Sequence, residues 1–217
     1  MRPLLDTVLK SNMFAAKELT CIRGDRVLFR NVSFEMTPGA LLYVLGENGS
    51  GKSSLLRLLC GLLTPEVGSV FWSGEQVKTG AESYQSNLLY IGHLNGLKDD
   101  LTAAENLQIA ARLAGYQADA SNVLAALKAI GIERCAYLPA RVLSQGQKRR
   151  VALARLWLTE CPLWILDEPF AALDANSIEV LTSRLNQHLS NGGMAIITTH
   201  QDVMINAQSI QTLRLDS

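Results

Sequence analysis

Three stretches of the chain are apolar with no polar alternation: Ala40–Leu45, Leu163–Leu166 and Met194–Thr198. Runs of this length predict strands covered on both faces, as in a parallel sheet flanked by helices. Between His93 and Cys161 the period changes, and Leu101–Gly115 and Ser121–Ile130 space their apolar residues as helices do. The pattern is that of an α/β domain over 14–217, with a helical subdomain at about 93–162 and an N-terminal extension at 1–13. No apolar run approaches the roughly 18 residues of a spanning helix, so membrane contact is expected through another protein.

Composition narrows the classes. A chain of 217 residues suits one domain with a full core. Lys+Arg and Asp+Glu number 20 each, which leaves no basic excess and disfavours nucleic acid as a partner. Hydrophobic residues make up 48% and mean hydropathy is +0.12, pointing to surface covered by a partner. Cys21, Cys60, Cys135 and Cys161 are scattered, with no CxxC and no His at ligand spacing, and read as reduced, buried thiols. Asp6 and Lys10 interrupt the apolar run of Met1–Phe14, so no export signal is expected.

The sharpest local signal is Gly46-Glu47-Asn48-Gly49-Ser50-Gly51-Lys52-Ser53, which fits GxxxxGKS/T between a predicted strand and an apolar helix over Ser54–Cys60. Such a loop curls its backbone N–H groups around a β-phosphate at a helix N-terminus, with Lys52 reaching the β- and γ-phosphates and Ser53 holding Mg²⁺. Leu163–Leu166 runs into Asp167 and Glu168, which suits a metal-holding carboxylate followed by one that polarises water. Ser144, ahead of a helix carrying Lys148, Arg149 and Arg150, reads as its N-cap. His200 follows a buried strand, and His188 reads as part of a solvated helix face.

Beside the phosphate loop and the acidic pair, Leu143-Ser144-Gln145-Gly146-Gln147 resembles the LSGGQ signature of ABC transporter cassettes, with Gln145 in place of the first glycine. Ala172-Leu173-Asp174 resembles the family's D-loop, and Thr198-Thr199-His200 its switch histidine. The resemblance covers Glu18 to about Ile205. It implies a P-loop NTPase fold: a RecA-like core, a small N-terminal antiparallel β-subdomain and an inserted α-helical subdomain. It also implies ATP and Mg²⁺ as cofactors, with Lys52, Glu168 and His200 catalytic and Ser53, Asp167 and His93 near the metal. Two copies of the chain would then sandwich each nucleotide. One copy would offer Gly46–Ser53 and Ser54, and the other the signature residues Ser144, Gly146 and Gln147, with Asp174 of the D-loop also at the nucleotide.

Two positions depart from the family pattern. His93 stands where the Q-loop glutamine is expected, and an imidazole there can contact Mg²⁺ or water. Arg23 stands where an aromatic usually stacks on adenine, and its flat guanidinium can stack instead.

Within the family, Tyr90-Ile91-Gly92-His93-Leu94-Asn95-Gly96-Leu97-Lys98, with Leu101–Leu107 after it, resembles the branch serving cytochrome c biogenesis, where a histidine at this point is familiar. That branch implies a peripheral subunit on the cytoplasmic face of the inner membrane, with integral membrane subunits resembling CcmB and CcmC. Hydrolysis would release a haem-loaded chaperone, and haem would touch this chain only indirectly. Another ABC exporter with different cargo and a non-transport ABC ATPase remain alternatives. A P-loop kinase would explain Gly46–Ser53 without needing Leu143–Gln147 or Asp174.

Overall fold

The computed structural model describes residues 13–215, so nearly all of the extension expected at 1–13 lies outside the described residues. Strands β1 (Phe14–Arg23) and β2 (Arg26–Met36) form an antiparallel hairpin that closes at Arg23 and Arg26. The chain continues through β3 (Ala40–Leu45), α1 (Lys52–Leu59), β4 (Val67–Trp72) and the two-residue β5 (Glu75–Gln76). Strand β4 returns to pair with β1, giving an antiparallel sheet of order β2-β1-β4-β5.

A short α2 (Glu82–Gln85) leads to β6 (Leu88–Ile91), and then come α3 (Ala103–Leu113), α4 (Ala120–Ala129) and α5 (Gln145–Leu153). After these, β7 (Leu163–Asp167), α6 (Ala175–Ser190), β8 (Met194–Thr198) and β9 (Ser209–Arg214) complete the described chain. The second sheet has the order β6-β7-β8-β3-β9, with every pairing parallel.

The unbroken apolar runs have the expected cause: every residue of β7 and β8 is buried. Alternate side chains serve opposite faces. Trp164, Leu166, Ala195 and Ile197 pack into a core with α3 to α6, while Leu163, Ile165, Met194 and Ile196 join a second core with α1 and the antiparallel sheet. Strand β9, at the sheet edge, instead alternates exposed and half-buried residues. Helix α3 starts at Thr102, whose side chain and that of Glu105 form a reciprocal capping box.

The structure corrects the expectation for His188. It is 8% exposed, and its ring stacks flat on Trp164 with centroids 3.7 Å apart. Burial pushes its pKa down to about 4, so the ring is neutral at pH 7, and Nε2 lies 3.1 Å from the Met194 carbonyl oxygen. Spacing explains the placement: His188 falls seven residues after Leu181 and three after Leu185, on the buried stripe of α6. Among the cysteines, Cys135 is only half-buried, and Gln147 Nε2 donates to its sulfur.

Sheet order also decides what meets. Strands β6, β7, β8 and β3 are consecutive neighbours pointing the same way, so the loops leaving their C-terminal ends stand side by side. Those loops carry His93, Glu168, His200 and Gly46–Gly51, the last running directly into Lys52 and Ser53 at the start of α1.

Candidate functional site

A cleft of about 560 Å³ opens where those loops converge. Asn48, Gly49, Gly51, Lys52, Ser53, Ser54, His93, Asp167, Glu168 and His200 line it, with Leu28 and Ala171. Helix α1 begins at the cleft with Gly51 as its N-cap at φ +99° and no side-chain cap, so its first-turn N–H groups are left for a ligand. A Cβ on Gly51 would press on the Leu28 side chain at 3.0 Å, which adds a packing reason for glycine to the backbone one. Lys52 Nζ donates to the carbonyls of Gly46 (2.6 Å) and Glu47 (3.0 Å), holding a cation across the loop.

At the cleft floor Ser53 Oγ donates to Asp167 Oδ2 at 2.8 Å. Asp167 is 3% exposed, and its other oxygen accepts from Thr198 Oγ1 at 2.7 Å. The same Thr198 oxygen accepts the Glu168 N–H at 2.8 Å, so one hydroxyl ties both acidic residues to β8. Glu168 has φ +50°, a left-handed conformation that is unfavourable for a residue with a Cβ. Its Oε1 lies 3.4 Å from His200 Nε2, and that ring is largely exposed at the rim. A neighbouring depression passes Ser53 and Asp167 and runs under His93, Leu94 and Asn95, so His93 stands between two openings.

Not every expected residue meets in this cleft. Ser144, Gly146, Gln147 and Asp174 are not among its lining residues. Ser144 caps α5, accepting from the Gln147 N–H while the Gln147 side chain accepts from the Ser144 N–H. Gly146 sits so close to the chain before α6 that a Cβ would lie 2.7 Å from the Ala172 carbonyl oxygen. Asp174 caps α6, and its hydrogen bonds to Ser177 hold its carboxyl below the usual range. Gly46, Glu47 and Ser50 belong to the loop but do not line the cleft, and the buried Ser50 hydroxyl has no partner among the described residues. Arg23 stands exposed at the end of β1 and is not among the residues lining the cleft, whereas Leu28 of β2 is.

Sequence reasoning passes over two groups that build the site. Thr198 is placed there only as the residue two before His200. Arg149 is one of three consecutive cations, yet it is 4% exposed and aimed at the backbone of the acidic pair. Its position three and four residues before the buried Ala152 and Leu153 is the signal that identifies the inward member.

Residues 29–171 match the ABC transporter family. The chain belongs to that family. The cytochrome c biogenesis ATP-binding export protein CcmA of Nitrosomonas europaea is 50% identical over 203 residues, which are 94% of this chain and 95% of that protein. The protein of the same name from Escherichia coli is 45% identical, covering 94% and 96%. Among solved structures, an ATP-binding subunit of an ABC transporter is similar with a TM-score of 0.77 at 28% identity, covering 87% of this chain and 79% of that one. A dimeric ATP-binding cassette in a post-hydrolysis state bound to ADP and Pi shares the fold, with a TM-score of 0.77 at 24% identity and 87% and 88% coverage. This ABC cassette is thus an ATPase of the CcmA group, and its cleft lies at the strand ends where α/β sheets bind their ligands.

Proposed function

We propose that this cassette hydrolyses ATP to ADP and phosphate with Mg²⁺ and powers a membrane complex of cytochrome c biogenesis. The observation that carries the reading is the meeting of Lys52, Ser53, Asp167, Glu168 and His200 in one cleft. The uncapped start of α1 and the Lys52 ammonium suit a polyphosphate. Ser53 and Asp167 offer hard oxygen donors 2.8 Å apart, a set that suits Mg²⁺ shared with phosphate oxygens, and His93 stands at the same wall. When bound, Mg²⁺ supplies charge stabilisation to the phosphate oxygens. In this reading Glu168 polarises the attacking water and His200 contacts the γ-phosphate, which their shared place in the cleft supports.

Ser144, Gly146, Gln147 and Asp174 are not among the residues lining the cleft of their own chain, which is compatible with their completing the nucleotide site of a second copy. The dimeric cassette bound to ADP and Pi supports that sandwich. Residues 14–217 then act as one nucleotide-binding domain. Its helical subdomain, about 93–162, would pass motion from His93–Asp100 to integral membrane subunits resembling CcmB and CcmC. Among the described residues no helix is long and apolar enough to cross a membrane. In this reading the chain is a peripheral subunit at the cytoplasmic face of the inner membrane, supported by the names of its relatives. Those names support a role in cytochrome c biogenesis and export, which we take to be haem delivery with haem bound by the partners.

The test replaces the native copy with Glu168→Gln in the source bacterium and scores covalent haem in periplasmic c-type cytochromes. Loss of these cytochromes with accumulation of haem-loaded chaperone is the expected result. Normal maturation alongside a hydrolysis-dead cassette would assign the protein to another export cargo.

A further inference from the structure

The guanidinium of Arg149 reaches from α5 into the wall behind the cleft and holds two loops at once. Its Nη2 donates to the carbonyl oxygens of Asp167 (2.6 Å) and Glu168 (2.9 Å). Its Nη1 donates to the Gly92 carbonyl (2.9 Å) and to Asn95 Oδ1 (3.2 Å). Three of these acceptors are backbone carbonyls, which a neutral side chain of the same length could not serve together, because only guanidinium presents its donors as a rigid fork. The two peptides gripped by Nη2 carry the carboxylates of the cleft, and one is the left-handed Glu168. The two groups gripped by Nη1 flank His93.

We infer that Arg149 is a positioning residue for hydrolysis: its guanidinium pins the left-handed backbone of Glu168 and ties it to the Gly92–Asn95 turn around His93. The carboxylate and the turn then move as one unit. This rests on the reading of Glu168 as the residue that polarises water. Placement matters at that step because a carboxylate displaced by about 1 Å from its productive position can lose roughly 10²-fold in rate. Lys148 and Arg150, the neighbouring cations, instead pair with Asp99 and Asp174 at the surface and do not share the role.

The experiment uses the full chain co-purified with its membrane subunits and measures MgATP affinity and single-turnover hydrolysis separately. Arg149→Gln should leave the Kd within about threefold while lowering kcat by roughly 10- to 100-fold, with part of the loss recovered in Arg149→Lys. Asn95→Ala leaves the arginine whole and removes one acceptor on the turn side. It should lower kcat by about threefold, and it carries the test if the Arg149 variants do not fold. Each substitution is repeated on a Glu168→Gln background, where a residue acting through Glu168 should add no further loss. Multiplicative losses on that background, or losses that follow nucleotide affinity, overturn the inference while leaving Glu168 in place. Wild-type turnover by Glu168→Gln alone removes the assignment of Glu168 as the water-polarising residue and the inference with it, while leaving ATP hydrolysis standing, and is recognisable as that outcome.

Discussion

Helices α1 and α5 both begin at residues expected to meet nucleotide, yet their N-termini are finished in opposite ways. Helix α1 starts from a left-handed glycine with no side-chain cap, and Lys52 stretches back over the loop that precedes it. Helix α5 starts from Ser144 with a complete capping box that uses Gln147 as well. An uncapped start leaves N–H groups that only a ligand or water satisfies, whereas a boxed start is satisfied without one. On the proposed reading, the first end is a phosphate site within one chain. On the same reading, the second is a stable surface that would meet nucleotide when another copy brings one.

The largest expected effect tests the α1 side. Glu168→Gln should retain MgATP binding and lower turnover by roughly 10²- to 10⁴-fold, measured as phosphate release. Lys52→Ala should act earlier, weakening ATP binding by about 10- to 100-fold in a direct titration, since it removes a charged donor aimed at phosphate. Unchanged affinity there would erase the contrast between the two helix starts.

A third substitution reaches the scaffold below the cleft. Thr198→Val strips a partner from the buried Asp167 oxygen and from the Glu168 N–H, and should cost about 2 kcal/mol, read as a fall of roughly 4–8 °C in Tm. On the other side, Ser144→Ala should cost about 1 kcal/mol through the lost cap. It should leave the nucleotide affinity of an isolated copy unchanged, so a change in that affinity would mean that α5 serves its own cleft.

The smallest effect comes from pH and belongs to neither helix start. His188 has a folded pKa of about 4 against 6.5 for a free imidazole, so the unfolded chain binds more protons between those values. Its contribution is complete above pH 6.5 and is lost as pH falls toward 4. Stability should therefore drop by about 1 kcal/mol between pH 6.5 and 5.5 in thermal melts, and His188→Phe should flatten that slope.

How much of this could be read from the chain depends on the range of the interaction. The two-face strands Leu163–Leu166 and Met194–Thr198 and the loop Gly46–Ser53 are legible because burial and backbone turning leave local marks in composition. Strand β9 escapes because an edge strand has the alternation of ordinary surface chain. Arg149 and His188 escape for another reason. A charged or polar residue on a helix is read as solvated unless its phase against the apolar stripe is counted, and both lie on that stripe. The wall residue Leu28 lies in β2, far along the chain from the other cleft groups, and no local pattern joins it to them.

The order of strands has a consequence for biosynthesis. Strand β3, which delivers the phosphate loop, pairs on one side with β8 and on the other with β9, both made more than 140 residues later. A chain still on the ribosome at residue 190 has the glycine-rich loop but no partner on either edge of the strand that supports it. Such non-local pairing folds late, because a long loop must close before the contacts that reward it can form. The nascent cassette is therefore expected to emerge without a working nucleotide site and to acquire one only as its last two strands dock. Until then, β3 exposes two unpaired edges to the chaperones that attend synthesis.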